Sequence, residues 1–247
     1  MVIGFDVAAD LLAPLLGDTL LRRPLGEPSG NGCVSPWGAA LPREGDERAA
    51  FLRRLDFLPE VVESAVGHPV GESAFDCILH RAGGAAIGQA RVELRERGVV
   101  YVCDCVDDDD REFERSLTEV YVTRLTGLPR KRSPSEYVRW KVRLAIEAGA
   151  LQPPPVYLPP LPNPIRTTLK VYEGLRLFVQ VRQLTDPQGE PFTFARRFVV
   201  EWCGVLPDGA KAGIEVMRAA GILEKVGEVL CPNGHLAWAY VLGTGRG

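Results

Sequence analysis

Between Gln152 and Pro164 the chain reads QPPPVYLPPLPNP, with prolines at 153, 154, 155, 159, 160, 162 and 164. Each proline fixes φ and removes a backbone donor, so neither a helix nor an inner sheet strand can run through this stretch. Extended polyproline backbone is what remains, and it acts as a stiff spacer. It divides the 247 residues into a mixed α/β unit over 1–150, a linker over 151–164 and a second unit over 165–247.

The second unit has a readable order. Thr167–Leu184 places Val171, Tyr172, Leu175, Phe178 and Val179 at helical spacing. Pro187 and Gly189 then predict a turn. Phe194–Leu223 reads as two helices about a sharp turn at Cys203-Gly204-Val205. Pro207 suits the first position of the second helix, Ala210, Ile214 and Met217 form its apolar stripe, and Gly221 closes it. Two strand-like runs follow, Ile222–Leu230 and Leu236–Leu242, joined by Pro232-Asn233-Gly234, a hairpin signal. Helix, turn, helix, hairpin is the order of a winged helix.

The first unit is less legible. A short helix is expected over 5–21, a loop over 22–46 that holds Cys33 and Trp37, and a helix over 47–66 broken at Pro59. A helical pattern starts near Glu72, is interrupted at Gly83-Gly84 and resumes over Ile87–Glu96. The strand Val99–Val106 and the acids Asp107 to Asp110 come next. Helix, glycine and strand make either one α/β unit or half of another winged helix. A helix is expected over 113–127. Ser133-Pro134-Ser135-Glu136 is a capping box with proline at the first helical position, and its helix runs to about Ala148, with Arg139, Lys141 and Arg143 partly on its polar sides. The fold class expected is therefore α+β, a mixed helical and strand N-terminal domain with a basic last helix, followed by a C-terminal winged helix-turn-helix.

Charge is unevenly placed. Residues 1–120 carry 12 Lys and Arg against 22 Asp and Glu, residues 121–165 carry 7 against 2, and residues 166–247 carry 10 against 8. An acidic half is followed by a basic middle that would attract a nucleic acid. No apolar run is long enough for a transmembrane helix, and the first residues, MVIGFDVAADLLAPLL, lack the basic start of a signal peptide. The expected location is the cytoplasm, which would keep the six cysteines reduced.

Val199–Leu223 resembles the helix-turn-helix of bacterial winged-helix regulators and of plasmid and phage replication proteins. The wider order SLTEVYVTRLTG, EYVRWKVRLAIEAGAL, VYEGLRLFVQVRQLTD and FARRFVVEWCGV, within Ser116–Gly204, looks like the C-terminal parts of primase-associated replication proteins of mobile elements. The resemblance implies a DNA partner, double-stranded by preference, with Arg196, Arg197, Lys211, Arg218, Arg130, Lys131 and Arg132 on its phosphates. Two departures count against base reading. Leu206 stands where such families place a Ser or Thr cap. The second helix would present Asp208, Lys211, Ala212, Glu215 and Arg218, a poor set for major-groove contacts.

Catalysis is not expected. A primase-like metal site needs alternating carboxylates, and Cys105 stands where the partner of Asp104 would be. No Gly-Lys-Ser/Thr phosphate loop occurs. Cys103-x-Cys105 has the wrong spacing for a zinc knuckle, and Cys231 with His235 would need a partner such as Cys203, so neither metal nor other cofactor is expected. The functional expectation is a non-catalytic, nucleic-acid-binding accessory or initiator protein of a mobile-element replication system. A winged helix used for protein contact or homodimerisation is one alternative, and a degenerate primase-like enzyme built on Asp104 is another.

Overall fold

The computed structural model describes residues 45–69, 74–82, 84–95, 98–105, 113–127, 132–153, 155–162, 164–186, 191–230, 234 and 236–243. The helix expected over 5–21, the loop with Cys33 and Trp37, the acidic run 107–110 and the turn at Pro187 and Gly189 lie outside these residues. The chain forms two compact units, Met1–Pro154 and Pro155–Gly247. The fold is α+β, with seven helices and small antiparallel sheets among the described residues.

In the first unit α1 (Gly45–Arg54) runs into a 3-10 turn at Leu55–Phe57, and α2 (Pro59–Val66) restarts with Pro59 at its first turn. Pro59 therefore begins a helix as well as interrupting one, because the first helical N–H has no partner to lose. Strands β1 (Phe75–Asp76), β4 (Gln89–Arg95), β5 (Gly98–Cys103) and β6 (Phe113–Ser116) form one antiparallel sheet in the order β1-β4-β5-β6. A two-stranded ladder, β2 (Arg81–Ala82) with β3 (Ala85–Ala86), lies between β1 and β4 in sequence.

The helix expected over Ile87–Glu96 is thus strand β4. Ala90, Val92 and Leu94 alternate with Gln89, Arg91, Glu93 and Arg95, a period of two, and Val92 pairs with Tyr101 on β5. Pairing with β5 overrides the helix propensity of Glu, Arg and Ala. The first unit is accordingly an antiparallel sheet with helices and not a second winged helix. The helix expected from residue 113 starts later, at α3 (Leu117–Thr126), because 113–116 pairs with β5 and Ser116 caps the helix through Glu119.

The Ser133 capping box forms, and α4 covers Pro134–Glu147. Trp140 and Leu144 pack with Leu117, Val120 and Tyr121 of α3 and with Val61, Val62 and Ala65 of α2 in one buried core. Lys141 does not lie on a polar side of α4. It is buried and ion-paired with Asp56 of the 3-10 turn, so it is withdrawn from any basic surface.

In the second unit α5 (Arg166–Thr185), α6 (Arg196–Cys203) and α7 (Pro207–Ala219) precede the hairpin β8 (Leu223–Leu230) and β9 (Leu236–Leu242). Strand β7 (Phe192–Thr193) joins the far edge of β9, giving the order β7-β9-β8. This is the winged-helix order. Gly204 ends α6 at φ +59°, the left-handed conformation the turn requires. Helices α5 and α7 approach closely because Gly213 faces the Val171 side chain, where a Cβ would collide with it. Phe178 packs against Phe192, Phe194, Phe198 and Trp202, whose indole N–H donates to the carbonyl of Gly174 at 2.9 Å.

Candidate functional site

In the second unit the structure separates the basic residues singled out from sequence. Arg196 is engaged within the motif itself: its guanidinium donates to the carbonyl of Pro207 at 2.9 Å and to the carboxylate of Asp208 at 3.1 Å. It pins the start of α7 to α6. Arg197 is 82 % exposed and lies 3.8 Å from Glu201. Lys211 is exposed and 4.0 Å from Glu215. Arg218, in the last turn of α7, lies over the Trp238 ring of the wing, 4.7 Å from its centroid, and Lys225 of β8 approaches the same ring at 3.7 Å.

Helix α7 and the wing therefore meet at Trp238, with two cations gathered on one aromatic ring. The negative face of the indole offsets part of their mutual repulsion. Glu228 lies 3.4 Å from the Lys225 ammonium. Arg218 has no carboxylate partner among the described residues. Sequence reasoning singled out Arg218 but not Lys225 or Trp238. The available signal was the alternation Leu236, Trp238, Tyr240 along β9, which puts Trp238 on the face that Tyr240 buries.

The hairpin ends on Leu230 and Leu236, which pair across the strands and are 71 % and 66 % exposed. Leu206 heads α7 without a side-chain cap and is also exposed. In the first unit Arg132 lies 5.9 Å from the Trp140 ring, while Arg130 and Lys131 fall outside the described residues.

The first unit holds a second constellation. Cys77 and His80 follow β1, Cys103 ends β5 and Cys105 lies two residues on, and one donor atom from each of the four lies within 4.8 Å of the others. The His80 Nδ1 is 3.4 Å from the Cys77 sulfur and 3.3 Å from the Cys103 sulfur. All three cysteines are buried free thiols. The spacing of Cys103 and Cys105 along the chain does not point to a ligand set, yet four candidate donors gather in space. Cys103 and Cys105 are only half of the set, and antiparallel pairing of β1 with β4 and of β4 with β5 brings Cys77 and His80 to them. Cys231 and His235 lie outside the described residues, and Cys203 belongs to the other unit.

No protein-family model, curated protein or solved structure matches this chain.

Backbone contacts fix the cluster from both sides. The Cys77 N–H donates to the Gly88 carbonyl at 2.8 Å, and the Asp104 N–H donates to the Gln89 carbonyl at 3.0 Å. The Asp104 carboxylate accepts from the Gln89 N–H at 2.7 Å. Asp104 thus has a structural task in holding the Gln89 N–H. Gly88 is the pivot, since a Cβ there would run into the Asp104 carboxylate and the Cys105 sulfur.

The thiols differ in acidity. Burial pushes Cys77 up, but hydrogen bonds from the Tyr101 hydroxyl and from the backbone N–H groups of His80 and Leu79 outweigh it and leave Cys77 below its ordinary value. Burial raises Cys103 to about 12, and it raises Cys105 as well. Burial, with the hydrogen bond to Cys77, raises Tyr101. The Tyr101 hydroxyl bridges the site: it donates to the Cys77 sulfur at 3.2 Å and accepts from the Ile78 N–H at 3.1 Å.

Proposed function

We propose that the protein is a non-catalytic, nucleic-acid-binding accessory or initiator protein of a mobile-element replication system, acting in the cytoplasm with duplex DNA as its ligand. The observation that carries this reading is the pairing of Arg218 and Lys225 on Trp238, where the second helix of the motif meets the wing. Two cations gathered at that ring suit phosphate oxygens, and the exposed part of the indole suits a sugar or a base edge. Arg197 and Lys211 add exposed charge on α6 and α7. No helix among the described residues is long and apolar enough to cross a membrane.

Binding of this kind is electrostatic and salt-dependent. Each neutralised phosphate contributes about 0.9 to the slope of log affinity against log salt, so about four contacts give a slope of roughly −3.6. Replacing Arg218 and Lys225 together by Ala is expected to weaken all duplex sequences alike and to make the slope shallower by up to about 2. A titration of the full chain against duplex and single-stranded DNA at several salt concentrations measures both. Absence of binding to either at low salt overturns the reading. A second reading, a protein partner or a second copy of the chain, is favoured by the exposed Leu230 and Leu236 at the wing tip. It takes over on that outcome.

A further inference from the structure

We infer that Cys77, His80, Cys103 and Cys105 hold one zinc ion in a closed, structural site. Three thiols and one imidazole are a borderline-soft donor set that suits a tetrahedral divalent zinc ion. With Zn–S near 2.3 Å and Zn–N near 2.0–2.1 Å, a tetrahedron has S–S edges of roughly 3.8 Å and S–N edges of roughly 3.6 Å. The S–N separations of 3.4 and 3.3 Å at His80 are already those of such an edge, and all four donors fit within 4.8 Å of one another. They bracket a point that a zinc ion would fill with little rearrangement.

The surroundings are those of thiolate ligands. The His80 backbone N–H lies 3.4 Å from the Cys77 sulfur and the Tyr101 hydroxyl 3.2 Å from it, and hydrogen bonds of this kind stabilise a thiolate ligand. Binding converts three thiols to thiolates, releases three protons and leaves the histidine neutral.

Four protein donors complete the tetrahedron and leave no position for water or substrate, so the site is structural. Its mechanical role follows from position. Strand β1 is two residues long and sits at the sheet edge. The ion clips the turn after β1 to the end of β5, across β4. That holds the segment Cys77–Gly88 against the sheet, with Gly88 leaving room for Cys105.

The test uses the full chain, purified reduced and without chelator. Elemental analysis is expected to give about one zinc per chain. Replacement by Co²⁺ should give the visible d–d bands of a tetrahedral site and thiolate-to-cobalt charge transfer in the near ultraviolet. Cys103→Ser should lose the metal, and Cys203→Ser, outside the cluster, should keep it. Since Cys103→Ser could simply unfold, His80→Cys provides a second arm. It should retain zinc and shift the cobalt spectrum toward four sulfurs. A strong chelator should lower the Tm, and added zinc should restore it. Substoichiometric zinc with no tetrahedral cobalt spectrum, or a disulfide among these cysteines in the reduced protein, would overturn the inference.

Discussion

Asp56 and Lys141 lie 85 positions apart and meet as a buried ion pair between the 3-10 turn and α4. Burial raises the Asp56 pKa above its ordinary 3.8, and the Lys141 ammonium opposes that rise. A carboxyl whose folded pKa is raised binds more protons in the folded state. Its contribution to stability is therefore complete below about 3.8 and is lost as pH rises through the folded value. Asp56→Asn should remove this falling component from a stability profile measured by denaturant from acid to neutral pH. Lys141→Met leaves a buried, unpaired carboxylate and should cost about 3–5 kcal/mol at neutral pH. The double change Lys141→Met with Asp56→Leu should recover most of that loss. Equal instability of the single and double variants would show that packing, and not charge, is what Lys141 supplies.

At the scale of elements, close approach and turn geometry decide the winged helix. Gly213 lets α7 rest on Val171 of α5, and a Cβ there meets both Val171 methyls. Gly213→Val should therefore force the helices apart and destabilise the unit by about 1–3 kcal/mol. A Cβ at Gly204 meets no neighbouring atom, so the cost of Gly204→Val is chiefly the left-handed backbone, also about 1–3 kcal/mol. The two differ in what rescues them. Val171→Ala removes the two methyls but keeps the Cβ at 2.7 Å, so it should offset part of the first and leave the second unchanged, which a double-mutant cycle reads directly. The cap and turn signals behind these elements were legible in the chain: Pro207 at the start of α7, the Ser133 box on α4 and the glycine after α6 all stand where their chemistry put them. Strand β4 was not, because Gln, Arg, Glu and Ala favour helix in isolation and only the hydrogen bonds of β5 select the extended form.

For the whole molecule, the division at the proline-rich stretch makes each unit answerable by itself. Residues 155–247 carry their own aromatic core around Phe178 and a complete sheet. The fragment should unfold cooperatively and protect the amides of α5, α7 and β9 from exchange. Flat exchange across it would show that the unit depends on the rest of the chain. The acidic side chains that dominate residues 1–120 repel phosphate, so a fragment 121–247, which keeps the basic middle, should bind DNA at least as tightly as the full chain.

The two-unit division, the α+β class and the helix-turn-helix with its wing could be read from the chain alone. Those rest on proline, glycine, capping and short-range periodicity, which act between near neighbours. Tertiary structure alone decided three other matters. It joined Cys77 and His80 to Cys103 and Cys105, because a metal-ligand set is defined in space and here two strand pairings assemble it. It buried Lys141 against Asp56 and so removed a charge that the linear pattern assigned to the surface. It spent Arg196 on the turn and set Arg218 beside Lys225 on Trp238, because which basic residue faces solvent depends on what packs around it, and a count of charges along the chain carries none of that.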